Sequence, residues 1–345
     1  MLVSGPVSAV TTDVVPQILP KLPRGVTLRE WRPEDLPRAV ELQNRYARPA
    51  QRQTLQDVER WESMADPNEV RVRLVLESGA ELTGVAGVGD GGKWRPPDGS
   101  WGIWMRIDDV LKRKGIGSTV ADALEQFARG HGAPSVTAGL RGDEQDGITF
   151  AERRGYKEFH RRQTSYLDLT RFDAARFDQP DAIAKRGGYR LASYQELAAL
   201  AVDADALRHQ IHDLHSATWR DVPTPEIPPA PSFEDLMRFA LDSPTFEPRA
   251  TTFALRGDEL VGLTLADVNG SGIGYTFMTG VLASARGNDL ALAMKLRAID
   301  VLTRRGVELF GTTNDKDNVP MLTVNRKLGY DPEPPNIRMK KALSP

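Results

Sequence analysis

Cysteine is absent from this chain of 345 residues. That excludes disulfides, thiolate-ligated zinc and a cysteine nucleophile, and it fits a reducing cytoplasm. Histidine is scarce. Three of the 5 cluster at His209, His212 and His215, but steps of three rotate successive side chains by about 60° around a helix, so they do not converge and no metal centre is expected. Charge of one sign is lacking too. A net charge of -2 gives no basic field for nucleic acid. No apolar run approaches the roughly 18 residues that span a bilayer, so no membrane partner is expected. Met1 to Pro23 has no charged start followed by an apolar core, so it does not read as a signal peptide. Its prolines, Pro6, Pro16, Pro20 and Pro23, argue against a helix, and residues 1–25 read as a mobile arm.

What remains is a globular composition, 40% hydrophobic and 27% charged, long enough for about two domains. The chain repeats itself. Lys112-Arg113-Lys114-Gly115-Ile116-Gly117 opens one helical run, and Arg286-Gly287-Asn288-Asp289-Leu290-Ala291 opens another, 174 positions later (286 − 112). Gly132 and Gly306 keep that spacing, as do Gly155-Tyr156 and Gly329-Tyr330. A register held through helix, turn and closing motif reads as one domain duplicated.

Patterning gives each copy the same order of elements. In the first, a strand at 26–31 leads to a helix that starts at Pro33 with acids in its first turn. A helix at 55–64, a hairpin of 70–76 with 82–88 and a strand at 101–107 follow. The basic turn then opens a helix over 116–130, before a strand at 135–140, a short helix at 147–154 and a closing strand at 159–169. The second copy reads as a strand at 189–191, one or two helices within 194–215, and a helix at 233–241. A hairpin of 251–255 with 260–267, a strand at 273–282, a helix at 290–303, a strand at 307–312 and a helix at 321–328 complete it. Five prolines between Val222 and Pro231 make an extended connector. The expected domains are 26–172 and 188–345, with a linker over 173–187 where Gln-Pro and Gly-Gly cluster.

Both copies resemble the GNAT superfamily of acyl-CoA-dependent N-acetyltransferases. The family's cofactor turn, Gln/Arg-x-x-Gly-x-Gly/Ala, is similar to Lys112-x-x-Gly115-x-Gly117 and to Arg286-x-x-Asp289-x-Ala291. Its closing segment is similar to Phe150–Tyr156 and Asn325–Tyr330. The resemblance implies two tandem α/β (α+β) domains, each a mixed, mostly antiparallel sheet flanked by helices. It implies acetyl-CoA or another acyl-CoA as co-substrate, no metal, and direct attack by a small-molecule primary amine. Two other readings stand beside this one: a non-catalytic acyl-CoA-binding or regulatory protein, and a tandem enzyme with one active site, as in the similarly organised mycothiol synthases.

The chemistry of the turn is plain. Backbone amides and a helix dipole can hold a pyrophosphate, glycine lets the backbone come close, and nearby cations add to the attraction. In the first copy Lys112, Arg113, Lys114, Gly115, Ile116, Gly117 and Ser118 are the expected contacts, with a backbone donor near Met105 to Ile107 at the end of the preceding strand. In the second copy Arg286, Gly287, Ala291, Thr279 and Val281 take those places. Asp289 would oppose a phosphate about 5 Å away by about 3 kcal/mol at an effective dielectric of 20. Aspartate is also a favoured helix cap, which explains it without any cofactor. The family's acid, a Tyr four residues before the closing Gly, is replaced by Ala151 and Asn325. Candidates for handling the amine are Glu62 (with Trp61 and Trp104) in the first copy, and His215 and Asp221 in the second; Asn325 is a candidate hydrogen-bond donor to the thioester or pantetheine.

Overall fold

The computed structural model describes residues 21–223 and 230–343. Most of the N-terminal arm and six residues of the proline-rich connector, 224–229, lie outside the described residues. The chain forms two compact units, one of residues up to His160 together with Asn336 onward, the other of Arg161–Pro335.

The first unit runs β1 (Val26–Glu30), α1 (Leu36–Tyr46), α2 (Leu55–Ser63), β2 (Arg71–Ser78), β3 (Glu81–Gly89), β4 (Trp101–Ile107), α3 (Ile116–Gly130), β5 (Ser135–Arg141) and α4 (Gln145–Arg153). β1 to β4 form an antiparallel meander, and β4 pairs with β5 in parallel. Helix starts follow local chemistry. Thr54 caps α2 by accepting from the Asp57 amide while the Asp57 carboxylate accepts from the Thr54 amide. The apolar stripe of α3, with Val120, Leu124 and Ala128, packs on Leu74, Leu76 and Ile103 of the sheet.

The chain continues with β6 (Lys157–Asp168), α5 (Pro180–Arg186), β7 (Arg190–Ser193), α6 (Tyr194–Leu200), α7 (Ala204–Trp219), α8 (Phe233–Leu236, followed by a wider turn over Met237–Leu241), β8 (Thr252–Arg256), β9 (Glu259–Val268), β10 (Gly274–Val281), α9 (Leu290–Arg304), β11 (Leu309–Asp315), α10 (Val319–Leu328), a two-residue strand β12 (Asp331–Pro332) and β13 (Asn336–Ala342). The second unit repeats the first: β7 to β10 form an antiparallel meander and β10 pairs with β11 in parallel. Residues 173–187, read as a linker from their composition, carry α5, whose Ile183 and Ala184 are buried in the core of the second unit.

The final strand of each repeat does not stay with its own repeat. β6 ends the first repeat, yet its residues from Arg162 to Asp168 pair antiparallel with β11 of the second unit. β13 ends the second repeat and pairs antiparallel with β5 of the first, from Asn336 opposite Arg141 to Ala342 opposite Ser135. Alternation explains why β13 can do this. Ile337 and Met339 enter the first core while Arg338 and Lys340 point the other way and bond to Thr137 and Asp98. Each unit therefore needs sequence from the far end of the other repeat.

This exchange predicts that Met339→Ala weakens the first unit, 200 residues away in sequence from most of its partners. The expected loss is about 2–5 kcal/mol for a buried methionine. Urea unfolding followed by tryptophan fluorescence reads it directly, because Trp101 lies in that core. An unchanged tryptophan transition would contradict the pairing.

Candidate active site

β4 and β5 pair only at Trp101–Val136 and Gly102–Thr137, and then part. The Asp108 amide donates to the Thr83 carbonyl on the β3 side. Backbone groups alternate along an antiparallel strand, so 106, 104 and 102 also face β3, while Ile103, Met105 and Ile107 turn theirs toward the gap. The gap is a cleft of about 400 Å³. Met105 and Leu140 line its two walls, Ala121 of α3 and Tyr156 its interior, and Phe150 of α4 one side. Arg106, Arg141 and Arg154 bring cations to it. All three are held by carboxylates: Arg106 by Glu144, Arg141 by Asp143, and Arg154 by Asp122 and Glu125.

The basic turn adjoins this cleft. Gly117 lies 3.6 Å from the Phe150 ring and 3.8 Å from Ile107, measured from where its β-carbon would stand. Arg113 (φ 60°) and Gly115 (φ 80°) are both left-handed, which curls the backbone ahead of α3 into a shape whose N–H groups converge. Lys112, Arg113, Lys114 and Gly115 are exposed, as is Ser118. Lys112 pairs with Asp109 and Arg113 with Asp146. Ile116 is different: its side chain is buried in the core, so only its amide can reach a ligand. Two contacts fix the end of α1 to this turn. The Tyr46 hydroxyl accepts from the Asp109 amide, and Arg45 pairs with Asp108.

Gln43 and Trp104 line the cleft and also a second cavity of about 260 Å³ beside it. Glu62, the sequence candidate, lines this second cavity and is bonded to Arg73 at 2.6 Å. Trp61 does not line it; Trp104 does. Glu69 and Arg71, which sequence reasoning missed, face the same cavity and contact each other at 3.2 Å. Burial pushes the Glu69 carboxyl above its usual range, with Arg71 opposing. A lone carboxylate just before a strand gave no pattern by which to find it.

No curated protein matches the chain in sequence. Residues 28–156 match the model of the acetyltransferase (GNAT) family. The first unit is a GNAT domain. Solved structures extend the likeness to the whole chain. A GCN5-related N-acetyltransferase from Sphaerobacter thermophilus is 18% identical, with TM-score 0.69 over 94% of this chain and 98% of that one. A tandem GNAT protein from the clavulanic acid biosynthesis pathway is 19% identical, with TM-score 0.71 over 93% and 99%. The GCN5-related glucosamine N-acetyltransferase region of a fungal multi-domain GH3 β-N-acetylglucosaminidase is 12% identical, with TM-score 0.64 over 92% and 38%. At such identities the likeness is one of fold, and the fold is that of two GNAT-like domains in tandem.

The second GNAT-like domain keeps the frame and fills it. β10 and β11 pair from Gly274 to Thr276 and then part. The Leu282 amide donates to Val261, so Thr279 and Val281 face the opening as Met105 and Ile107 do in the first. The turn keeps its two left-handed residues, now Gly287 (φ 79°) and Asp289 (φ 52°), with the glycine exchanged. Asp289 does not cap α9 with its side chain, contrary to the simple explanation of its presence. The carboxylate stays at the turn, exposed. Arg286 is paired with Asp221, the sequence candidate, at the turn. Ala291 follows on the first turn of α9.

The interior of this domain is occupied. Lys295 stands 174 residues after Ala121, fully buried, with Nζ 3.5 Å from Thr276 Oγ1 and 4.9 Å from the centre of the Tyr330 ring. α7 closes the other side: a β-carbon on Gly280 would lie 2.5 Å from that of Thr218. His215, on the same helix, is fully buried and stacked on Trp219, both ring nitrogens are without hydrogen-bond partners among the described residues, and burial lowers its pKa to about 4. His209 and His212 turn to other partners, the Asp205 and Pro231 carbonyls. Asn325 donates to Asn314 at 2.6 Å and is buried.

Burial lowers the Lys295 pKa from 10.5 to about 7. Between those values the unfolded chain binds more protons than the folded one. This group therefore makes stability rise with pH from about 7 to 10.5, and costs a few kcal/mol at pH 7 and below. Lys295→Met keeps the volume and removes the charge. It should raise stability at pH 7 by ~2–4 kcal/mol and flatten the rise toward pH 10. Urea titrations of both proteins at pH 7 and 9.5 decide this; identical pH dependence would refute the buried amine.

Proposed function

We propose that this protein moves an acetyl group from acetyl-CoA to the primary amine of a small molecule, at one active site per chain, in the first domain. One observation carries the reading: the N–H groups of Met105 and Ile107 face an open cleft beside a helix start with two left-handed residues. Acetyl-CoA supplies an activated acyl thioester. The Lys112–Ser118 turn holds the pyrophosphate through its amides, with Lys112, Arg113 and Lys114 adding charge. The cleft takes the pantetheine arm between β4 and β5. The Met105 and Ile107 amides are placed to stabilise the charge that grows on the thioester oxygen as the amine adds. The second cavity, joined through Gln43 and Trp104, takes the amine.

No tyrosine stands at the family's acid position, because Ala151 has no proton to give. Tyr156 does not replace it. Its hydroxyl donates to Glu125 at 3.0 Å, and burial holds its pKa well above the usual range. Coenzyme A thiolate leaves readily enough that one missing acid costs only about 10²-fold. The same vacancy favours the alternative of an acyl-CoA-binding protein without turnover, which release of coenzyme A thiol in the presence of amines distinguishes.

Binding tests the site. Calorimetry with acetyl-CoA should give one site per chain. Gly115→Asp should weaken it by about 3 kcal/mol, over a hundredfold. Asp289 already adopts the left-handed conformation at the matching position, so this change alters charge more than shape. Gly115→Asn, equally tolerant of that conformation, should cost far less. Two sites in the unaltered protein, or no effect of Gly115→Asp, would overturn the assignment.

A further inference from the structure

The cavity beside the acyl cleft has a balanced wall. Glu62 and Glu69 face it with Arg71 and Arg73, two charges of each sign. A plain ammonium entering there meets no net field, because each carboxylate is matched by a guanidinium. The four are not equivalent. Arg73 is fixed: its guanidinium stacks on Trp31 at 3.9 Å and bonds to Glu62, and it is largely buried. Arg71 is more exposed and holds Glu69 through one nitrogen only, at 3.2 Å. Arg71 lines the cavity beside Glu69.

Two glycines of β3 make room for this arrangement. A β-carbon on Gly87 would come within 2.7 Å of the Trp104 ring, and one on Gly89 within 2.7 Å of Glu69 Oε1. Gly87 thus lets the indole that separates the two cavities lie flat on the sheet, and Gly89 lets the Glu69 carboxylate approach the backbone. The position of Glu69 beside Arg71 is built by the strand beneath it.

We propose that the acceptor is a zwitterion, a primary amine with a carboxylate on the neighbouring carbon, as in an α-amino acid. This rests on the first cleft being the acyl site. The ammonium meets Glu69 and the carboxylate meets Arg71, so the ligand enters the pair and satisfies both partners. Glu69 takes the proton as the amine is freed, and burial that raises its basicity suits it to do so. The amine nitrogen then forms the C–N bond, the C–S bond breaks, and the second proton lost by that nitrogen passes through solvent to the coenzyme A thiolate.

The test follows release of coenzyme A thiol from acetyl-CoA with three sets of acceptors: α-amino acids, the corresponding amides, and alkylamines of the same length. Amino acids should exceed their amides at least tenfold in kcat/KM. Arg71→Met should abolish that preference by raising KM for the amino acids at least tenfold more than KM for the amides, and Arg71→Lys should restore part of it. Glu69→Gln should lower kcat for every acceptor and remove the rise of rate with pH. Equal or better use of amides or alkylamines, unaffected by Arg71→Met, would overturn the zwitterion while leaving acyl transfer intact. Bound acetyl-CoA with no turnover of any set would overturn both.

Discussion

Two parallel strands that pair over two residues and then separate set up everything that follows in the first domain. Paired β-strands normally satisfy each other's backbone groups. Where β4 leaves β5, one edge of β4 is left to face a cleft, and the amides of Met105 and Ile107 are aimed at whatever enters it. The same parting sends the chain through the Asp108–Lys114 bend into α3, so the helix start stands next to the cleft. Tyr46 and Arg45 fasten α1 to that bend, and α1 in turn contributes Gln43 to both cavities. A backbone feature thus positions the cleft, the basic turn and the second cavity together.

The duplication shows how little must change to close such a site. The second domain retains the parting strands and the doubly left-handed turn. Ala121 becomes Lys295, a longer side chain in the interior, and α7 lies against Gly280 where the first domain has Arg106 and open space. Asp221 neutralises Arg286, and Asp289 takes the place of Gly115. Each change acts on one requirement: room, access, charge at the turn. Because β6 and β13 are exchanged, the second repeat still supplies a strand that the first domain needs. That gives the second repeat a structural role that does not depend on a cofactor.

Much of this was legible in the sequence because it is local. The spacing of 174 fixed the correspondence of the two turns, and the strand at 101–107 and helix at 116–130 follow from alternation and amphipathicity. Exchange of the closing strands was not legible: Asn336–Ala342 alternates like any edge strand, and which sheet it joins is decided by packing of Ile337 and Met339. Lys295 looks like one more surface lysine on a helix until it is set against Ala121. His215 invited a role at a substrate and proves to be core, since apolar neighbours on α7 carry it inward. Glu69 and Arg71 carry no motif at all; only the cavity and the glycines beneath them single them out. Glu62 lines the second cavity, and Asp221 pairs with Arg286.

The central claim is that the first domain's cleft takes the acyl thioester and the second domain's does not. A crystal structure with acetyl-CoA bound measures this most directly. The account predicts the thioester carbonyl between β4 and β5, within hydrogen-bond distance of the Met105 or Ile107 amide, the pyrophosphate at Lys112–Ser118, and nothing bound between β10 and β11. Acetyl-CoA seated at Arg286–Ala291, with Lys295 displaced, would contradict it.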